Sequence, residues 1–237
     1  PWNRPRSFSE GGTEMAEQFV IADPHYSHPT MCVYAGTCGV EPLRPWGRVV
    51  PNWKQMTADE RADLLPEFEA RAAEMDEAMV ERWNAVVPAQ GAKVYVLGDV
   101  AMKAKHLPIL GRLNGKKKLL FGNHDILGLK AYAPYFYDMA AYRIGDGIVM
   151  SHIPIAEGSL ERWRANVHGH LHAERVMRDR CEPVLNTPSA RRFDPCAIVR
   201  HREIDPRYLC VSVEHTDYAP LPFDEMYRRI EAQQVSA

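Results

Sequence analysis

The 237-residue sequence lacks several features that would place it in a specialised class of protein. No apolar run approaches the roughly 20 residues of a membrane-spanning helix, and no basic-then-apolar segment at the N-terminus resembles a signal peptide. The net charge of -2 gives no electrostatic argument for a nucleic-acid or anionic-membrane partner. We therefore expect a soluble, cytoplasmic protein that has no membrane partner.

Cysteine is scarce, and no long Gly/Ser-rich linker divides the chain. The five cysteines have irregular spacings and form no C-x-x-C pair: Cys32, Cys38, Cys181, Cys196 and Cys210. An odd number without a pattern predicts free thiols rather than a disulfide framework or a zinc clip. With 46% hydrophobic residues, we expect a disordered lead-in over 1–17 and a single domain over 18–237.

What the sequence does contain is a set of short apolar segments that stop abruptly at polar residues. Three of them lie in the first half: 18–22 before Asp23 and His25, 93–97 before Asp99, and 118–121 before Asn123, His124 and Asp125. Each is typical of a buried strand followed by a tight turn. Strand ends that share one edge of an α/β sheet form the usual ligand site, so the pattern predicts an α/β fold with a site there.

Helices are expected between these strands. A capping-box pattern at Thr57 and Glu60 predicts a short helix that Pro66 interrupts. Apolar residues at steps of three and four predict an amphipathic helix over 67–86. A further helix over 106–113 would return the chain to the third strand as a parallel crossover.

The second half repeats the theme of strands that end in histidine. Segments 141–144 and 148–151 flank Gly145-Asp146-Gly147, which predicts a hairpin whose second strand leads to His152. Segment 163–167 leads to His168, Gly169, His170, Leu171 and His172. The remaining expectations are an aperiodic excursion over 173–206, a last strand over 208–213 and a terminal helix over 224–231.

The strand ends together supply carboxylate, imidazole and amide donors. These donor types bind borderline divalent ions such as Mn, Fe, Zn, Ni or Co. Asp-x-His and His-x-His also place two donors on one side of an extended segment. The predicted metal ligands are Asp23, His25, Asp99, Asn123, His152, His170 and His172.

The ordered motifs resemble those of the calcineurin-like metallophosphoesterase superfamily. They are Asp23-x-His25, Gly98-Asp99, Gly122-Asn123-His124-Asp125, His152 and Gly169-His170-x-His172, which span roughly residues 19–172. Segments 23–28, 75–77 and 151–154 resemble more narrowly the small bacterial and phage predicted phosphoesterases of that superfamily.

The resemblance implies a four-layer α/β/β/α sandwich and two divalent metal ions, with Mn as the first choice. By position, Asp23, His25 and His172 would hold one ion, Asn123, His152 and His170 would hold the other, and Asp99 would bridge them. A hydroxide shared by the ions would attack a phosphate mono- or diester, with nucleotide-type substrates included. His124 would protonate the leaving group, and Asn123 and His28 would contact the substrate phosphate.

Two departures from the superfamily pattern disfavour phosphoprotein substrates. Val100 and Ala101 follow Gly98-Asp99 where protein phosphatases have an Asp-Arg-Gly sequence, and Asp125 stands where Glu is expected. Asp125 could orient His124 or cap the next helix, and we favour the cap.

Two other readings compete with the phosphoesterase. A catalytically silent scaffold of the same fold would bind protein partners without turnover, but such a protein is expected to have lost ligands. An HD-type metallohydrolase built on His124-Asp125 would be helical, whereas His124 follows an apolar strand and a glycine. A nucleic-acid end as substrate has no support from the charge.

Overall fold

The computed structural model describes residues 16–36, 39–183 and 198–235, without the side chains of 181–183 and 198–200. The predicted disordered lead-in over 1–17 lies almost wholly outside these ranges, but its last residue, Glu17, is the first residue of a strand. The described chain is mixed α/β, with parallel and antiparallel strands and several helices. None of its helices has both the length and the apolar character needed to cross a lipid bilayer.

Eleven strands and three α-helices make up the described chain. The strands are β1 Glu17–Ile21, β2 Ala92–Val96, β3 Lys116–Leu120, β4 Asp138–Ala140, β5 Tyr142–Gly145, β6 Ile148–Ser151, β7 Ala165–His168, β8 Met177–Pro183, β9 Ile198–Ile204, β10 Tyr208–Cys210 and β11 Leu221–Pro222. The helices are α1 Ala58–Val86, α2 Leu129–Tyr132 and α3 Phe223–Val235. Short 3-10 helices connect them, the longest over Ala104–Arg112.

The strands form two larger sheets and one separate pair. The first sheet has the order β11-β1-β2-β3-β4, in which β1 to β4 are parallel and β11 is antiparallel to β1. The second has the order β10-β7-β6-β5, with only the β5–β6 pair antiparallel. This last pair confirms the predicted hairpin around Gly145-Asp146-Gly147. Strands β8 and β9 pair antiparallel with each other.

Alternating side chains of β2 are buried on both faces of the first sheet. Val94 and Val96 pack in one core with Trp83 of α1, whereas Tyr95 packs in another with residues of the second sheet such as Val167. Helix α3 contacts β1, β10 and β11. A strand buried on both faces needs a continuous apolar sequence, which explains why β2 was recognisable.

Helix α1 corrects the prediction of two helices separated at Pro66. The capping box of Thr57 and Glu60 begins it as expected, but the helix then continues through Pro66 to Val86. Proline removes one N–H donor to the carbonyl four residues earlier, here that of Ala62. Both residues are exposed, so water can satisfy that carbonyl, while the buried face of the helix stabilises the rest.

Other differences from the sequence predictions have local causes. The helix expected over 106–113 is the 3-10 helix Ala104–Arg112, which contains Pro108. The excursion over 173–206 was expected to lack regular structure, but it contains β8 and β9. Their many charged residues obscure the alternation of apolar and polar side chains that would predict a strand. Cys32 and Cys210 are free thiols, as predicted. Cys38 and Cys196, and the side chain of Cys181, lie outside the described residues.

Candidate metal centre

The polar residues that follow the strands meet at one edge of the two larger sheets. Strands β1, β2 and β3 are adjacent and parallel, so their carboxyl ends deliver Asp23, Asp99 and Asn123 to the same side. Strands β6 and β7 are also parallel neighbours, and they end just before His152 and at His168. The edge therefore collects predicted ligands from both sheets.

Two backbone hydrogen bonds join the sheets at this edge. The N–H of Ala22 donates to the carbonyl of Val211, and the N–H of Val213 donates to the carbonyl of Ala22, both at 3.0 Å. Ser212, between the two partners, donates its hydroxyl to Oδ2 of Asp23 at 2.7 Å. Asp23 is thus fixed beside the loops of the second sheet although it follows a strand of the first.

The carboxylate of Asp23 is buried with one oxygen unsatisfied. Oδ2 accepts hydrogen bonds from the Ser212 hydroxyl and from the backbone N–H of His170, whereas Oδ1 has no hydrogen-bond partner among the described residues. Burial raises the pKa of Asp23 to about 6, although His152 and His172 act in the opposite direction. A buried carboxylate oxygen without a donor is costly, and a cation beside Oδ1 would satisfy it.

We call Asp23, His25 and His172 the first donor group. One ligand atom from each lies within 4.8 Å of the other two. Both ring nitrogens of His25 are buried and have no hydrogen-bond partner in the described part of the chain. Burial first, and then the charge of Arg44, hold the pKa of His25 well below its ordinary value. The ring is therefore neutral and offers a lone pair to a metal ion.

Asp99 lies between the first donor group and the donors of the second sheet. Its Oδ2 is 3.4 Å from Nε2 of His25 and 3.4 Å from Nε2 of His152. Its Oδ1 accepts the backbone N–H of His124 at 2.8 Å, which leaves Oδ2 as the oxygen between the two rings. Asp23, Asp99 and His152 also offer ligand atoms within 4.8 Å of one another, so Asp23 is close to both sides.

We call Asn123, His152 and His170 the second donor group. Nδ1 of His152 lies 2.8 Å from the carbonyl of Leu97 and donates to it, so the neutral ring carries its lone pair on Nε2. That Nε2 is 2.8 Å from Oδ1 of Asn123, and Nδ1 of His170 is 2.9 Å from the same oxygen. A cation bound to both atoms would offset the repulsion between this lone pair and the amide oxygen that it faces.

The donors fit a divalent ion in type as well as in position. Carboxylate, imidazole and amide groups are the ligands of borderline metals, and soft thiolate ligands are not needed. The second donor group is the more open of the two, because the Asn123 side chain is exposed and His170 is half-buried, and burial lowers the pKa of His170. Buried Asp and His groups at this edge could therefore hold a metal ion.

Backbone strain is concentrated in the same residues. Five of the seven predicted ligands have a positive φ: Asp23 (56°), His25 (48°), Asp99 (54°), His170 (70°) and His172 (51°). Non-glycine residues rarely adopt this conformation, which costs roughly 1–3 kcal/mol each and persists where the surroundings enforce it. Such clustering is typical of functional sites.

Asp125 has neither of the roles considered for it from the sequence. Its Oδ2 accepts the backbone N–H groups of Asp99 and Gly122, both at 2.8 Å, and its Oδ1 accepts that of Val100 at 3.0 Å. The next helix, α2, begins after Gly128 without a side-chain cap. The expectation of a helix cap was wrong because these contacts, 25 and 26 residues away in sequence, use both oxygens.

Two buried charged residues that sequence reasoning missed lie behind the first donor group. Glu214 is 3.2 Å from Nδ1 of His172 and 2.9 Å from Nε of Arg44. Burial opposes ionisation, but Arg44 and His172 lower the pKa of Glu214 to about 2. Burial also acts to lower the pKa of His172, yet Glu214 outweighs it and raises that pKa. Glu214 directly follows the predicted last strand, so the strand-end rule could have found it.

The two histidines expected to act on substrate lie beside the first donor group. The ring of His28 stacks on that of His25 at 5.5 Å, and the ring of His124 meets His25 edge-on at 5.4 Å. Nε2 of His28 is 2.9 Å from the hydroxyl of Thr30. Burial lowers the pKa of His28 to about 4. His168, which ends β7, is buried, and its Nδ1 bonds to the carbonyl of Gly169, so it is a strand residue rather than a member of either donor group.

Comparisons with known proteins give little further guidance. No protein-family model matches the sequence. No curated protein matches it either. Among solved structures, it is similar to AQ665 from Aquifex aeolicus, described as a protein of unknown function, with 21% identity and a TM-score of 0.49 over 90% of this chain and 98% of that one. The function therefore has to be argued from the site itself.

Proposed function

We propose that this protein is a dinuclear metal-dependent phosphoesterase of the calcineurin-like type. The observation that carries the proposal is the position of Asp99 Oδ2, 3.4 Å from an imidazole nitrogen of each donor group, His25 Nε2 and His152 Nε2. One carboxylate placed between two groups of metal-type donors is the arrangement that a pair of cations needs. Motif order along the chain supports the same proposal.

The proposal includes a finer description of the fold, a four-layer α/β/β/α sandwich. In support, residues of both larger sheets share one buried core, and α1 packs on the outer face of the first sheet. The outer face of the second sheet carries a smaller cluster of Val149, Leu160 and Tyr208. A short 3-10 helix, Glu157–Arg162, contributes Leu160 to that layer.

In this proposal the first donor group holds one divalent ion, the second holds another, and Asp99 belongs to both. Mn is the proposed ion, and Fe, Zn, Ni and Co suit the same donor types. When bound, the ions supply an activated water for attack at phosphorus and neutralise the phosphoryl oxygens. Asp125 holds the loops of Asp99 and Gly122 together, so the donors of the first sheet stay aligned.

Side chains of the protein would protonate the leaving group and bind the phosphate. The bond from the His124 N–H to Asp99 Oδ1 fixes the His124 backbone, and the half-buried imidazole, 5.4 Å from the ring of His25, would protonate the departing oxygen. His28 and the exposed amide of Asn123 would hydrogen-bond phosphoryl oxygens. The proposed substrates are phosphate mono- or diesters, including nucleotides.

An esterase assay on the metal-reconstituted protein tests the proposal. Protein with Mn should hydrolyse p-nitrophenyl phosphate or its bis ester, and Asp99→Asn should reduce the rate to background because the shared carboxylate is lost. Asp138→Asn is the matched control, since Asp138 pairs with Lys118 outside the site and should leave the rate unchanged. A protein that binds no divalent ion and hydrolyses neither ester would overturn the proposal.

The role of His124 is tested with two leaving groups. His124→Ala should slow hydrolysis of an alkyl phosphate by about 10²–10⁴-fold, the usual contribution of a general acid. Hydrolysis of the p-nitrophenyl ester should slow much less, because nitrophenolate leaves without a proton. Equal losses for the two esters, or loss of bound metal from the variant, would show that His124 is not the leaving-group acid.

A further inference from the structure

Arg44 is a fully buried cation whose three guanidinium nitrogens each have a partner at the site. Nη1 donates to the carbonyl of Pro24 at 2.8 Å, and Nη2 donates to the carbonyl of Asp23 at 2.7 Å. Nε donates to Oε1 of Glu214 at 2.9 Å. The guanidinium therefore connects the loop after β1 to the segment after β10.

Glu214 passes this connection on to His172. The same oxygen that accepts from Arg44, Oε1, lies 3.2 Å from Nδ1 of His172. A carboxylate can only accept, so Nδ1 of His172 carries the hydrogen and the lone pair of the neutral ring is on Nε2. The contact selects which nitrogen of His172 can bind a metal ion.

We propose that Arg44 and Glu214 are positioning residues of the first donor group, which set the tautomer of His172 and the backbone of Asp23 and so the affinity for the first metal ion. The inference rests on the proposed function. Carboxylates that hold a ligating histidine generally change metal affinity by about 10–100-fold when removed. The same range is expected for Glu214.

The pair is poorly explained by fold stability alone. Taking two charges out of water is costly, and well-packed apolar residues in their place are often as stabilising. The two carbonyls that Arg44 holds belong to Asp23 and Pro24, the first two residues of the Asp-x-His motif. Because Asp23 and His25 have positive φ, this loop needs external contacts to keep its strained form.

Metal titration of Glu214→Gln is the direct test. The more enclosed first donor group should hold the tighter of two ions. Isothermal titration calorimetry of the full chain with Mn should show that the affinity for this ion falls by about 10–100-fold, while the weaker ion binds as in the unchanged protein. Glu157→Gln is the matched control, because Glu157 pairs with Arg207 at an exposed position and contacts neither donor group. It should leave both affinities unchanged.

A double variant keeps the inference testable if Glu214→Gln does not fold. Arg44→Met with Glu214→Leu replaces the ion pair by apolar side chains and leaves no uncompensated buried charge. We expect this variant to fold, with a thermal midpoint close to that of the unchanged protein, and to lose the tight ion. A folded double variant that retains the tight ion would overturn the inference and show that the pair serves the fold.

The failure of the inference and the failure of the proposed function are distinguishable in the same titrations. If the unchanged protein binds two ions and Glu214→Gln binds both with unaltered affinity, the inference falls and the proposed function stands. If the unchanged protein binds no divalent ion, both the proposed function and the inference that depends on it are wrong.

Discussion

The two donor groups of the candidate metal centre differ in the residues that support them. In the first, His172 contacts Glu214, and the carboxylate of Asp23 accepts the hydroxyl of Ser212. In the second, His152 contacts the carbonyl of Leu97, a backbone group. Side chains therefore support His172 and Asp23 of the first group, whereas a main-chain carbonyl supports His152 of the second.

Exposure follows the same division. In the first group Asp23 and His25 are buried and His172 is half-buried, whereas in the second group His152 is buried, His170 is half-buried and Asn123 is exposed. Donors that are already fixed lose little conformational freedom when an ion binds, so enclosed and supported donors bind more tightly. We therefore expect a tight ion at the first donor group and a weaker, exchangeable ion at the second.

The largest effect on metal binding is expected from two single variants, each of which removes one imidazole from one donor group. His25→Ala should abolish the tight phase of an Mn titration, because it removes a buried imidazole from the first donor group. His170→Ala should abolish only the weak phase, because the first donor group remains complete. Isothermal titration calorimetry measures both phases directly.

His106→Ala is the control for these two variants, since His106 lies on the 3-10 helix Ala104–Arg112, outside both donor groups. It should leave both phases intact. If His170→Ala removes the tight phase and His25→Ala spares it, the order of the two groups is reversed and the comparison is wrong.

The parts of the site that could be predicted from sequence are those with a local signal. Strands β1, β2 and β3 are apolar runs that end in glycine or in a polar residue, and their positions differ from the prediction by one or two residues. Because the side chain that follows such a strand is fixed by chain order alone, Asp23 and Asp99 could be expected at one edge before any contact was known.

The supporting residues could not be predicted, because their partners are distant in sequence. Arg44 meets Glu214 across 170 residues, and it lies in a loop without periodicity. Asp125 has the local pattern of a helix cap, but its oxygens are taken by a loop some 25 residues earlier. Residue type and spacing predict the donors; the contacts that orient them depend on the folded chain.

A smaller effect is expected from Asp125→Ala, which tests the side-chain support of the loops that carry Asp99 and Asn123. The change leaves the N–H groups of Asp99, Val100 and Gly122 without their acceptor. Each buried donor left unsatisfied costs roughly 1–3 kcal/mol, so the loss of the acceptor for all three should lower the free energy of unfolding by roughly 3 kcal/mol or more. Urea denaturation measures this fall.

Asp125→Asn should give an intermediate value, because its amide oxygen can still accept while its NH₂ group faces a donor. Asp63→Ala, on the exposed face of α1, is the control and should change the free energy of unfolding by no more than about 0.5 kcal/mol. A loss in Asp125→Ala as small as that of Asp63→Ala would mean that the loops hold their form without the carboxylate.

The smallest effect is expected from Ser212→Ala, which removes one hydrogen bond behind the first group. The hydroxyl donates to Oδ2 of Asp23 at 2.7 Å, but the N–H of His170 donates to the same oxygen and remains. A net loss of about 1 kcal/mol corresponds to about a fivefold fall in affinity for the tight ion, with the weak ion unaffected.

Ser151→Ala gives the matching test at the second group. Its hydroxyl donates to the carbonyl of Ile153, beside His152, and has no contact with Asp23. We expect Ser151→Ala to leave the tight phase of the Mn titration unchanged, while Ser212→Ala weakens that phase alone. If both serine variants weaken the same phase equally, the two donor groups share their support, and the division between a side-chain-supported and a backbone-supported group does not hold.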